Sequence, residues 1–213
     1  MSEVDCVSIF ESAPDNQERV SLIDQSAPDF VCELRQVSRE TEVPVADVET
    51  LVRFVVDPFH IVEEDGKKRL NSSFFNDAST VGASSLRKER ATMVEYEAAL
   101  NELITQKPIS ADGTKKKLYG VVLIPVATAK SVQHKIEVKE GGKTEVYTHR
   151  AFGVYATGLE KRPNHSDLMV NMRSQIKKSK ANKAGENLTK LVQPNLMTVE
   201  EFKETVDLSR WAA

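Results

Sequence analysis

The chain has 213 residues, with 29 Lys+Arg against 32 Asp+Glu and a formal net charge of −3. That length suits one domain of about 100–200 residues, or one domain with an arm. No apolar run approaches the roughly 20 residues that a bilayer-spanning helix needs. The acidic start Met1-Ser2-Glu3-Val4-Asp5 also lacks the basic region of a secretory signal, so a cytoplasmic protein with no membrane contact is expected.

The small total hides a split. Residues 1–65 hold 16 Asp+Glu and 4 Arg with no Lys, a net of −12, while residues 66–213 hold 25 Lys+Arg and 16 Asp+Glu, a net of +9. Such asymmetry points to an interaction surface or arm. The rival explanation is that the acidic third packs on the basic remainder and neutralises it. Cys6 and Cys32 have no CxxC partner and no neighbouring His, so they predict reduced thiols rather than a redox motif or a zinc site. They could pair only if the first segment folds back on itself. Neither a metal nor a cofactor is expected.

Residues 1–45 carry Pro14, Pro28 and Pro44 among short apolar clusters, and predict an acidic arm that docks on the body or on a partner. Residues 46–213 form the expected α+β domain. Leu51 to Asp57 is β-branched and stops at Pro58, a strand. Asp65-Gly66 predicts a reversal, with Lys68 to Phe75 returning as a second strand. Ser79 to Ser85 reads as a loop. Met93, Leu100, Leu103 and Ile104 space a helix over Glu89 to Gln106. Leu118 to Ala127 is the most apolar run and predicts a central strand. Lys135–Lys139 and Thr144–Thr148 flank Gly141-Gly142 as a hairpin, which sets Ile136 opposite Tyr147 and His134 opposite His149. Ala151 to Thr157 predicts a further strand. His165 to about Lys183 reads as a helix, with Leu168, Met169, Met172 and Ile176 on one face and lysines in its last turns, favourable to the macrodipole. Leu188 to Val192 predicts a short strand. Thr198 and Glu201 form a capping box for the last helix, with Met197 and Phe202 as its staple and Trp211 anchoring the C-terminal end. This order predicts a mainly antiparallel sheet packed by two or three helices.

Four constellations carry chemistry. Arg53, His60, Arg69 and Ser72 offer a near-neutral acid–base group beside donors for a phosphate or carboxylate. The bland alternative is a satisfied His among exposed basic residues. Asn164-His165-Ser166 at a helix start favours an anion, or else Asn164 or Ser166 caps the helix. His134 and His149 lie close enough across the hairpin to share a metal, but nothing in the spacing supplies a third ligand. Lys161 to Lys190, with Arg173, Lys177, Lys178, Lys180 and Lys183, is a face that attracts phosphate backbones, or a solvated helix end.

An Arg on a first strand followed by a strand with paired serines is similar to ADP-ribosyltransferase domains, where such residues hold NAD; the Glu those enzymes use has no counterpart here. The wider spacing also resembles a family of small bacterial proteins. It runs from Leu51-Val52-Arg53 through Pro58-x-His60, Asp65-Gly66, Ser72-Ser73-Phe74-Phe75 and Gly82-Ala83-Ser84-Ser85-Leu86-Arg87 to Pro163-Asn164-His165-Ser166-Asp167. That family pattern has an Asn-Pro-Ala-His step where this chain has Pro-Asn-His. The resemblance implies an accessory component of antiviral-defence or CRISPR neighbourhoods. The expected function is a non-catalytic adaptor binding another protein through acidic residues 1–65. One alternative is a nucleotide-binding enzyme using Arg53, His60, Arg69, Ser72 and His165, which requires those side chains to meet in one pocket. The other is nucleic-acid binding through Lys161–Lys190.

Overall fold

The computed structural model describes residues 4–105, 116–140, 143–171 and 178–205. Six strands build the main sheet: β1 (Thr50–Asp57), β4 (Ala83–Arg87), β5 (Lys117–Pro125), β8 (Phe152–Tyr155), β9 (His165–Val170) and β10 (Leu196–Thr198). They lie in the order β10-β5-β1-β4-β9-β8, and every neighbouring pair is antiparallel. Two hairpins stand apart, β2 (Ile61–Glu64) with β3 (Lys67–Leu70), and β6 (Gln133–Glu140) with β7 (Lys143–Arg150). Six α-helices occur among the described residues: α1 (Cys6–Ser12), α2 (Arg19–Ser26), α3 (Met93–Thr105), α4 (Val126–Ser131), α5 (Lys178–Val192) and α6 (Val199–Thr205). The fold is α+β, as expected, although with more helices than the two or three anticipated.

Successive strand side chains point to opposite faces, and the core follows that alternation. Leu51, Val55, Val122, Ile124, Phe152, Val154, Leu168 and Val170 meet Ala181, Ala184, Leu188 and Val192 of α5 on one face. On the other, Val52, Leu86 and Val121 pack under Tyr96 and Ala99 of α3 and Phe202 of α6. Farther along that second face, Tyr155 and Met169 pack under Cys6 and Phe10 of α1 and Val20 and Ile23 of α2. Each fully buried large side chain stabilises the fold by roughly 1.5–3 kcal/mol. The second face is thus covered by two separate helical patches, one from the N-terminal segment and one from α3 with α6.

Several elements stand where the sequence placed them. The hairpin register sets Glu140 opposite Lys143, Ile136 opposite Tyr147 and His134 opposite His149. Asp65 and Gly66 turn β2 into β3, although β3 ends at Leu70 rather than Phe75. The capping box is made: Thr198 N–H donates to Glu201 Oε2 at 2.7 Å, and Glu201 N–H donates to Thr198 Oγ1 at 3.3 Å. Trp211 lies outside the described residues.

Four expectations are corrected. His165 to Val170 is a strand buried on both faces, not the start of a helix. A doubly covered strand shows no polar–apolar alternation, and the spacing of Leu168 and Met169 imitated a helical period. Lys178, Lys180 and Lys183 therefore fall in the first half of α5, at the positive end of its dipole, where they gain nothing from it, while Lys190 stands in the last turn. Leu188 to Val192 is the end of α5 rather than a strand. The loop at 79–85 contains the start of β4, whose small polar residues carry no strand signature. Finally, Cys6 and Cys32 form a disulfide because the N-terminal segment does fold back on itself. Closing a loop of 26 residues stabilises a fold by about 3 kcal/mol in the chain-entropy account.

The acidic segment is partly neutralised within the fold. Glu33 pairs with Arg150 at 2.6 Å and Lys130 at 3.3 Å, Asp47 with Lys130 at 2.6 Å, and Asp57 with Lys68 at 2.7 Å. Glu49 receives Arg87 Nε at 2.7 Å and Arg87 Nη2 at 2.5 Å.

Candidate functional site at a parting of two central strands

β1 and β4 are neighbours in the sheet, yet they pair only at Leu51–Arg87 and Val52–Leu86. Beyond those residues they separate. A cavity of about 400 Å³ opens there, between the two helical patches of the second face. Its walls draw on α3 (Ala99, Glu102, Leu103), the N-terminal segment (Asp15, Arg19) and the stretch after β8 (Thr157, Leu159, Arg162). Arg53, His60, Asp77, Ser84, His165 and Asp167 add polar groups to its lining.

The parting of the strands explains Arg53. Ser84 C=O has no β1 partner to accept from, and Arg53 Nη1 donates to it at 2.9 Å in place of a ladder bond. The same guanidinium donates to Phe74 C=O at 3.4 Å and pairs with Asp77. It lies 5.0 Å from the Phe74 ring centroid, within cation–π range. Only 8% of the Arg53 side chain is exposed. Arg53 Nε and Asp77 Oδ1 are nonetheless buried without a hydrogen-bond partner, as is Arg19 Nε. Leaving such a group unpaired costs about 1–3 kcal/mol, and three of them border one cavity.

His60 caps the bulge that ends the regular part of β1, where the register shifts between Val55 and Val56. Its Nδ1 accepts from Val56 N–H at 3.1 Å. Burial, then the charges of Arg53 and Lys116, push its pKa down to about 3. A ring whose Nδ1 lone pair is held by a backbone N–H is a fixed neutral acceptor, unsuited to passing protons.

His165 is different. Tyr155 pairs with Asp167 across β8 and β9, so continuing that register sets Thr157 opposite His165. Thr157 Oγ1 lies 3.0 Å from His165 Nδ1 and donates to Asp167 Oδ2 at 2.9 Å. His165 Nε2 is 3.9 Å from Asp167 Oδ1, which receives Ser84 Oγ at 3.3 Å. Burial lowers the His165 pKa, opposed by the nearby Asp167 charge. Gly82 gives Asp167 its room: at φ +101° it favours glycine, and a Cβ there would sit 3.1 Å from Asp167 Cγ. Upstream, Glu95 caps α3 by accepting from Thr92 N–H at 2.8 Å and also accepts from Asn164 N–H at 2.7 Å. Asn164 caps no following helix; it ties the entry of β9 to the start of α3.

Of the five residues expected to meet in a pocket, Arg53, His60 and His165 do so. Arg69 does not; it pairs with Glu64 on the β2–β3 hairpin. Ser72 is exposed in the turn after β3 and does not line the cavity. The anion site expected at a helix start beside His165 is overturned, since no helix begins there. In the basic stretch, Arg173 and Lys177 lie outside the described residues, Lys178 is exposed, Lys180 donates to Lys135 C=O at 3.0 Å, and Lys183 pairs with Glu186 at 2.7 Å. His134 faces His149 in register, and burial lowers its pKa. Among the described residues no group of three or more His, Cys, Asp or Glu is placed to hold a metal, and no helix is long and apolar enough to cross a membrane.

Asp77, Thr157, Asp167 and Arg19 were not singled out as site residues from the sequence, and Arg162 stood only within the basic stretch from Lys161 to Lys190 and the segment leading to His165. Asp167 stood inside a quoted motif, but a helix there would have turned it away from His165. A strand puts positions two apart on one face. No family model, curated protein or solved structure matches the chain.

Proposed function

We propose that the protein binds a compact polar small molecule, of the nucleoside or nucleotide class, in the cleft where β1 and β4 part. The observation that carries this is the convergence of Arg53 of β1, Ser84 of β4, and His165 and Asp167 of β9, three neighbouring strands, onto one cavity. Its volume lies in the usual range for small-molecule sites, roughly 300–1,000 Å³. The lining suits such a ligand. Asp167, Ser84 and His165 offer acceptors and a hydroxyl for ligand hydroxyl or amino groups. Arg19 supplies positive charge from one wall, Arg162 stands ion-paired with Glu102 on another, and Leu103, Leu159 and Phe54 supply an apolar surface for a ring.

The test is thermal unfolding with and without adenosine, AMP, ATP, NAD and ribose 5-phosphate, followed by calorimetry of any compound that stabilises. A ligand present at 100 times its Kd adds about 2.7 kcal/mol of stability. The expected result is a raised Tm for at least one compound, lost in Asp167→Asn. A flat response to every compound would reject the assignment.

A macromolecular partner is a second reading, favoured by the exposure of Glu18, Glu40 and Glu42 after Glu33 and Glu49 have been taken into the fold. It calls for salt-sensitive capture by an immobilised basic peptide, weakened when those three residues are changed to Gln.

A further inference from the structure

We propose that His165 is the proton acceptor of the cleft, with Thr157 as the positioning residue that holds its Nε2 lone pair toward a bound hydroxyl. The inference rests on the cleft being the ligand site.

A hydroxyl carries one proton, and a carboxylate can only accept. Thr157 Oγ1 donates its proton to Asp167 Oδ2 at 2.9 Å. What Thr157 Oγ1 has left for His165 Nδ1, 3.0 Å away, is a lone pair. The imidazole proton must therefore sit on Nδ1, and the neutral ring presents its lone pair at Nε2. The hydrogen bond made by one ring nitrogen fixes the state of the other. Asp167 Oδ1 lies 3.9 Å from Nε2, beyond hydrogen-bonding distance and also an acceptor. Asp167 Oδ1 has the Ser84 hydroxyl as donor at 3.3 Å, whereas His165 Nε2 faces it across 3.9 Å, a gap that a ligand hydroxyl or amino group would fill.

His60 lacks this geometry, since its Nδ1 is occupied by the Val56 N–H. Proton transfer at His165 balances simply. The ligand O–H bond breaks, its electron pair stays on oxygen, and an Nε2–H bond forms. The resulting imidazolium stands between Asp167 Oδ1 and the Thr157–Asp167 hydrogen bond. The charged groups that act on the ring are Asp167 on its own strand, Arg162 on the preceding loop and Glu102 on α3. Burial dominates and keeps the ring neutral.

The test needs no natural ligand. Diethyl pyrocarbonate acylates an unprotonated imidazole nitrogen, forming an N–C bond and releasing ethanol and carbon dioxide. It is small enough for a cavity of about 400 Å³. The full chain would be treated at pH 7 and each histidine followed by mass spectrometry, with ¹⁵N spectra reporting the tautomer. The expected result is acylation of His165 with its proton on Nδ1. In Thr157→Val the tautomer relaxes and the rate falls on the order of fivefold, whereas Thr157→Ser restores both. A proton on Nε2 in the unaltered protein, an inert His165, or identical behaviour of the Val and Ser variants would each overturn the proposal. If instead His165 behaves as stated but no nucleoside or nucleotide stabilises the chain, the ligand class fails and the role of His165 does not.

Discussion

The two ends of the β1–β4 junction each bury an arginine, and they use it in opposite ways. At the paired end Arg87 is wholly buried, and its donors reach Glu49 twice, Val43 C=O at 2.7 Å and Pro44 C=O at 3.0 Å. At the parted end Arg53 is almost as buried, yet it props a strand edge and leaves Nε without a partner beside a cavity. One arginine is a closed clasp that ties the 43–49 segment to β4. The other holds two strands apart. The contrast teaches that burial alone does not separate a structural arginine from a site arginine; what separates them is whether the protein itself completes the hydrogen bonds.

The largest effect is expected from breaking the clasp. Arg87→Ala leaves Glu49 buried without its guanidinium. Burial pushes the Glu49 carboxyl up, and the Arg87 hydrogen bonds, with smaller help from Ala46 N–H and the Arg90 charge, pull it below the usual range; without Arg87 it keeps the longer contact to Arg90 at 3.5 Å. Removing one partner of a buried pair costs about 3–5 kcal/mol. Urea unfolding should show that loss in the Arg87→Ala chain, and a loss under 1 kcal/mol would mean the clasp carries little of the fold.

At the parted end His60 predicts a pH dependence. Its folded pKa of about 3 lies below the unfolded value near 6.5, so the unfolded chain binds the proton more readily. The His60 contribution is complete above about pH 6.5 and is lost as pH falls toward 3. Between pH 7 and pH 4 the loss reaches as much as about 3 kcal/mol. His60→Asn keeps an acceptor for the Val56 N–H and does not titrate there. The difference in stability between the two chains should therefore shrink on acidification. A difference independent of pH would show that the ring is not held neutral by the fold.

Arg53 itself should give a smaller stability effect and a larger functional one. Arg53→Met keeps the packing against the Phe74 ring but loses the bonds to Ser84 C=O, Phe74 C=O and Asp77, the last a carboxylate only partly exposed. A loss of about 2 kcal/mol is expected, less than for Arg87→Ala. Ligand stabilisation should disappear. Retained ligand binding in a folded Arg53→Met chain would place the site elsewhere.

How much of this was legible beforehand depended on how local each signal was. Gly141-Gly142 and Thr198 with Glu201 specify turns and caps through neighbours in sequence, and both stand as expected. β4 and β9 were missed because their strand character comes from neighbours on both sides, not from their own residues. Ser84 and Ser85 have weak strand propensity, which tertiary context overrides. Missing β9 also hid the site, since only a strand places His165 and Asp167 on one face. Arg53, His60 and His165 were found by chemical type. Asp77 and Thr157, which define what Arg53 and His165 can do, were visible only once the register was known.

The smallest stability effect tests the link between the two ends. Glu95 accepts from Thr92 N–H at the start of α3, and from Asn164 N–H and Nδ2 just before His165. Those donors share two carboxylate oxygens. In Glu95→Gln one oxygen becomes an NH₂ group, which must face N–H donors however the amide is turned. The expected cost is about 1 kcal/mol, similar to losing one helix cap. The displaced Asn164 would carry His165 with it, away from Thr157. Glu95→Gln should therefore slow acylation of His165 and mix its tautomers while leaving Tm within a few degrees of the unaltered chain. If the tautomer stays fixed while stability falls, Glu95 is a cap for α3 alone and β9 holds His165 without it.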